Sequence, residues 1–242
     1  MSVMNFQAYE QVEKAMMDFV EQSFMKAPFL TTLQTGGYTD RQIQYFAVQY
    51  SYYSRHFPRV LGAAIAAMAP FSHWWIPLAD NLWDEAGRGE PGKAHDHLYM
   101  TFLQSVAPDL AMDALTKLPQ MPMADAVRRA IDTFLQFFQE ATPLEAMAAV
   151  GLGSELFAGR VMGAIGKGFR HPAYQKGQGI QTLFWDCHAD EHEPRHYQLC
   201  KAILLEHVNL ESLSVYYDIG VKIAGSEATM YHQLHEDMLL LT

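Results

Sequence analysis

The chain has 242 residues, half of them hydrophobic, with 17 basic and 27 acidic side chains and a formal net charge of −10. That length supports a full core in one domain or two small ones. The acidity, with no basic run longer than a pair, argues against nucleic acid as a main ligand.

The N-terminal stretch MSVMNFQAYEQVEKAMM has no basic segment followed by an apolar one, so no signal peptide is expected. Helical spacing then dominates. In TDRQIQYFAVQYSYYSRHFPRV, Phe46, Tyr50, Tyr53 and Phe57 fall on one helix face, and Thr39 or Asp40 would cap its start. This aromatic stripe reads as core. The run VLGAAIAAMAPF (60–71) is the longest apolar one, and at about twelve residues it is too short for a bilayer, which needs roughly 20. No membrane partner is expected. Val127, Ile131, Phe134 and Phe138 repeat the helical spacing. Further helices run through LEAMAAVGLGSELFAGRVMGAI (144–165) and through the segment after Asn209.

Breakers separate these segments: Pro28, Gly36-Gly37, Ala69-Pro70, GRGEPG (87–92), Pro108, Pro119 with Pro122, Pro143, and HPAYQKGQG (171–179). No alternating strand pattern and no hairpin turn appears. The expectation is a single all-α domain, a bundle of about seven to nine helices over 1–242. Cys187 and Cys200 cannot build a disulfide framework, so a reducing, cytoplasmic setting is expected.

Three places could carry chemistry. HADEHEPRH (188–196) spaces His188, His192 and His196 four apart, which would put three imidazoles on one helix face. Imidazole and carboxylate ligands suit iron, manganese or zinc; a solvated helix end could show the same pattern. NLWDEAGRGEPGKAHDHLY (81–99) sets Asp84, Glu85, His95 and His97 around a glycine-rich turn. If the flanking helices stay close, Glu85 and His95 can face each other. Glu155, in AAVGLGSELFAGRVMG, is the only acidic residue between Glu145 and Asp186. A buried carboxylate there would need a partner; the alternative is that it faces solvent between Ser154 and Arg160. Carboxylates and histidines pointing inward from several helices are how bundles build di-iron sites.

These motifs resemble the haem-oxygenase-like di-iron oxidases, a group that includes the chlamydial death-domain-associated protein and its CADD-like relatives. The broader fold class also contains thiaminase II and pyrroloquinoline-quinone synthase. The family pattern is a Glu, a Gly turn and a His, then a lone Glu, then His-x-x-x-Asp-x-x-His. DEAGRGEPGKAHDHL carries Glu85 and His95 over as ligands, GLGSELF carries Glu155, and LFWDCH carries His188. The likeness spans roughly residues 40 to 200. The last motif departs from the pattern: His192 stands at the Asp position, Arg195 at the final His position, and His196 comes one residue late. Pro194 could admit an extra residue in the helix, making Glu193 and His196 the ligands; a regular helix would use His192 and His196.

The resemblance implies an oxidoreductase that binds iron (Fe2+, two ions, with manganese as the alternative) through Glu85, His95, Glu155, His188, His192 and His196. It would activate O2 against a small organic substrate. Rival readings are a thiaminase-II-like hydrolase using Cys187, a cofactor-free oxidase like pyrroloquinoline-quinone synthase, and a non-enzymatic interaction protein with a decayed metal site. Trp74-Trp75 and the C-terminal Met238, Leu239, Leu240 and Leu241 are the candidate contacts for a homodimer.

Overall fold

The computed structural model describes residues 5–70, 73–177, 179–189 and 192–241, with the backbone alone for 192–194. The α-helices are α1 (Tyr9–Val20), α2 (Pro28–Gln34), α3 (Asp40–Ala66), α4 (Trp75–Glu85), α5 (His95–Val106), α6 (Asp125–Glu140), α7 (Pro143–Val150), α8 (Ala158–Phe169), α9 (Leu183–Ala189), α10 (His192–Glu206) and α11 (Leu210–Leu239). No strand occurs among the described residues; Met112 and Pro119 form one isolated bridge. The all-α expectation holds. α2 and α9, seven residues each, are too short for the apolar period to register in sequence.

The long helices begin where local chemistry says they should. The Thr39 hydroxyl accepts a hydrogen bond from the Gln42 backbone N–H while the Gln42 side-chain oxygen accepts one from the Thr39 backbone N–H, a reciprocal cap that opens α3. Thr142 with Glu145, and Asn209 with Ser212, do the same for α7 and α11. Each such cap is worth about 1 kcal/mol. α3 packs on α4, α5 and α6, and α11 packs on α1, α6 and α7, so two rods of 27 and 30 residues organise the bundle.

The core between them is aromatic. Trp185 of α9 is fully buried, with its ring centroid 5.0 Å from that of Tyr50 and 5.6 Å from that of Phe169. Burying side chains of this size contributes about 1.5–3 kcal/mol each. The aromatic stripe of α3 therefore is core, and three of its members also border a cavity described below. Residues 143–169 run as one continuous helix, long and apolar enough to cross a membrane, but two thirds of its apolar window (67%) is buried within the bundle, so core packing accounts for it.

Two proposed dimer contacts are corrected. Trp74 and Met238 lie in the core, because each falls on the inward stripe of its segment. Trp75, Leu239 and Leu240 do remain exposed, as do Ile76 and Trp83 on the outer face of α4.

Candidate metal centre

The segment 86–94 turns tightly enough to bring the end of α4 against the start of α5. Gly87 makes this possible: its φ is +68°, and a Cβ there would lie 2.4 Å from the backbone of Lys93 and Ala94. Glu85, the last residue of α4, thereby meets His95, the first of α5, with Oε1 3.0 Å from Nδ1. His188 of α9 completes the group, its ring centroid 4.4 Å from that of His95. One ligand atom from each of the three lies within 4.8 Å of the others. His97, one of the four residues flanking the turn, is instead exposed and takes no part.

His188 is set up as a neutral ligand. Burial, reinforced by the neighbouring His95, pushes its pKa down to about 4. Its Nδ1–H donates to the Phe184 carbonyl at 2.6 Å, which leaves Nε2 with the free lone pair. His95 is raised: burial opposes the charged form, but Glu85 and then Asp84 outweigh it. Two imidazoles and one carboxylate, close together and shielded from water, are the donor set of non-haem ferrous sites. The residues present fit such an ion.

Glu155 arrives by a different device. Residues Gly151–Glu155 form a π-helical turn between α7 and α8, a distortion that recurs at functional sites. Small residues on this turn permit close packing: a Cβ on Gly153 would lie 2.7 Å from Ile223 of α11. The Glu155 side chain is buried, only 3% exposed, so the solvent-facing alternative is excluded. Asn81 donates to its Oε1 at 2.7 Å, and His196 Nδ1 stands 3.7 Å from its Oε2.

His196 belongs to a second cluster rather than to the first. Its Nε2–H donates to Asp84 Oδ2 at 2.6 Å, and Asp80, Asp84 and His196 offer ligand atoms within 4.8 Å of one another. This cluster differs from the first in that cations already fill it. Arg88 pairs with Asp84, and Arg195 reaches Asp80 Oδ2 at 2.7 Å and Asp84 Oδ2 at 3.7 Å. Burial would raise the Asp84 pKa, but Arg88 and His196 hold it below the ordinary carboxylate value. Burial likewise disfavours His196 as a cation, yet Glu155 and Asp84 raise it. Three carboxylates thus face two guanidinium groups and the His196 imidazole.

Within the proposed set, then, Glu85, His95 and His188 come together, Glu155 and His196 come together beside them, and the side chain of His192 lies outside the described residues, as does that of Glu193. His188, on α9, falls in the first group and His196, on α10, in the second; residues 190 and 191, which join the two helices, lie outside the described residues. Asp80 was not foreseen as a site residue. Its spacing from Asp84, i to i+4 on α4, was the available signal.

A cavity of about 60 Å³ opens beside the first cluster, with Glu85 and His188 in its wall. Tyr50, Tyr53 and Phe57 of the aromatic stripe line it, as do Phe157 and Met162. Glu227 of α11 lines it as well.

The fold and this cluster define a helical bundle with a buried histidine–carboxylate centre next to an apolar chamber. The sequence profile of the iron-containing redox enzymes matches residues 44–213, and the chain belongs to that family. Among solved structures, a CADD-like protein of unknown function from Nostoc punctiforme is similar, with a TM-score of 0.74 at 15% identity over 95% of this chain and 98% of that one. A domain of unknown function with a heme oxygenase-like fold from Shewanella denitrificans gives 0.68 at 15% identity, covering 96% and 92%. A TenA homologue from Pseudomonas syringae gives 0.70 at 13% identity, covering 96% and 93%. At these identities the likeness establishes the heme oxygenase-like fold. No curated protein matches the chain.

Proposed function

We propose that this protein is an iron-dependent oxidoreductase that consumes O2 and oxidises a small organic substrate held in the chamber beside Glu85 and His188. The observation that carries the reading is the first cluster: two histidines and a carboxylate converge there, and His188 stays neutral in a buried setting. Glu85, His95 and His188 would hold ferrous iron, which when bound supplies the electrons that O2 chemistry requires. The protein's own contribution is positional. The Phe184 carbonyl fixes the His188 tautomer. Glu85 and His95, held 3.0 Å apart, would be the pair of donors that the glycine turn presents to the ion. The aromatic walls exclude water from the reacting centre.

One iron, rather than the pair expected from the family pattern, is the metal count favoured by the second cluster. Arg88 and Arg195 supply there positive charge that a second cation would otherwise bring. The site reads as an ion-pair buttress that positions Glu155 and Asp84 behind the first cluster.

The rival readings draw less support. The Cys187 thiol donates to the Phe184 carbonyl at 3.1 Å, and Cys187 is not among the described residues lining the chamber. No lysine or arginine lines the chamber among the described residues, whereas a quinone precursor rich in carboxylates would call for them. The intact first cluster argues against a decayed site.

The test is anaerobic loading with ferrous iron, removal of excess metal, and exposure to a measured amount of O2. Stoichiometric O2 uptake by the loaded protein, absent in Glu85→Ala, is expected. Equal uptake by that variant would overturn the reading.

A further inference from the structure

α11 carries its apolar residues at helical spacing, with Tyr216, Ile219, Ile223, Met230 and Leu234 all buried on one stripe. Glu227 falls on the same stripe. It is 8% exposed, and it lines the same chamber as Glu85 and His188. A carboxyl group in such a place costs stability unless it has a role or a partner. The first cluster does not use it, and neither does the arginine-filled second one.

The surroundings specify what would satisfy it. The chamber is lined by the rings of Tyr50, Tyr53, Phe57, Phe157 and Phe184, and no lysine or arginine lines it among the described residues. Among the described residues, Glu227 is therefore the one charge-bearing side chain of the chamber besides the two that belong to the metal centre. Burial raises its pKa to about 7, and the Tyr231 and Tyr53 hydroxyls restrain the rise. The group is poised to ionise when a cation arrives. Aromatic faces around a desolvated carboxylate attract an ammonium group by two independent forces, cation–π attraction and a charge-assisted hydrogen bond. A ligand carboxylate would meet like charge in a dry space, and a neutral hydroxyl would gain neither force.

Resting on the iron-oxidoreductase reading, we propose that Glu227 is the specificity-determining residue for a substrate bearing a protonated amine, held with its nitrogen at Glu227 and its carbon chain against the aromatic wall, toward Glu85 and His188. The size fits a short chain. A cavity of about 60 Å³ has room for about four to six water-sized groups, as in a four-carbon amine.

The test compares n-butylamine, butan-1-ol and butyrate as ligands of the full chain at pH 7.5. Binding is followed anaerobically by ligand-observed NMR titration, with and without ferrous iron. The amine should bind at least about tenfold more tightly than the alcohol, and butyrate least of all. Glu227→Gln should erase the preference for the amine while iron per chain stays at the wild-type value. Equal binding of the three ligands, or an amine preference that survives in Glu227→Gln, would overturn the inference. Amine selectivity in a chain that retains no iron would sink the iron-oxidoreductase reading and leave the amine site standing. Because the wild-type ligand series is itself a test, the inference does not depend on the variant folding.

Discussion

Two clusters of ionisable groups lie side by side between α4, α9, α10 and the π turn, and they are built on opposite principles. Glu85, His95 and His188 have three donors and, among the described residues, no lysine or arginine paired with them, so the group is left short of positive charge. In the second, Arg88 and Arg195 pair with Asp80 and Asp84, while His196 stands between Asp84 and Glu155. The contrast teaches that carboxylates and histidines in proximity do not by themselves make a metal site. What separates a ligand set from an ion-pair network is whether protein cations already satisfy it.

The largest expected effect comes from breaking the first cluster. Either His188→Ala or Glu85→Ala should remove iron binding by a factor of about a hundred or more, since one of three ligands is gone; equilibrium dialysis against ferrous iron measures it. Gly87→Ala should act on the same cluster indirectly. The φ of +68° and the clash with the Lys93–Ala94 backbone would cost about 1–3 kcal/mol and pull His95 away from Glu85. Weaker iron binding together with a lower denaturation midpoint is the expected signature.

A third prediction concerns pH. Glu227 has a folded pKa of about 7 against an ordinary 4.5, so between those values the folded state holds a proton that the unfolded state has lost. Its contribution to stability is full below about 4.5 and falls away as pH rises to 7, amounting to about 3 kcal/mol. The groups that face it are Tyr53 of α3, Tyr231 of its own helix, and Glu85 and His188 across the chamber. His188 contributes with the opposite sign, its lowered pKa favouring the folded state as pH rises from about 4. Subtraction of the Glu227→Gln profile from that of the wild type isolates the Glu227 part. Urea unfolding at pH 5 and pH 8 should show the variant gaining on the wild type at the higher value.

The smallest effect sharpens the comparison from the second cluster. Arg195→Met removes one exposed member of a network in which Arg88 still pairs with Asp84. Stability should change by less than about 1 kcal/mol, and iron held by the first cluster should be unaffected.

The sequence was legible where local rules act and illegible where the turn between elements decides. Thr39, Thr142 and Asn209 announce their helices by capping, and Phe46 and Phe134 announce their buried faces by period. Glu85 and His95 could be paired across the glycine turn because that turn is short. The partners of His196 could not be foreseen, since Asp84 and Glu155 come to it from distant helical segments and not from its own four-residue spacing. Glu227 passed unnoticed although the argument used for Glu155, a lone acid among small and apolar residues, applies to it equally. Of the ion pairing that fills the second cluster, Arg88 with Asp84 is a local i, i+4 pair, but Asp80 and Asp84 meet Arg195 and His196 from more than a hundred positions away, and no local pattern encodes that part.

The central claim is that one cluster takes iron and its neighbour does not. The measurement is metal per chain after anaerobic ferrous loading and desalting, in the wild type, Glu85→Ala and Asp84→Asn. The account predicts about one iron in the wild type and in Asp84→Asn, and none in Glu85→Ala. Two irons in the wild type that fall to one in Asp84→Asn, or full retention in Glu85→Ala, would contradict it.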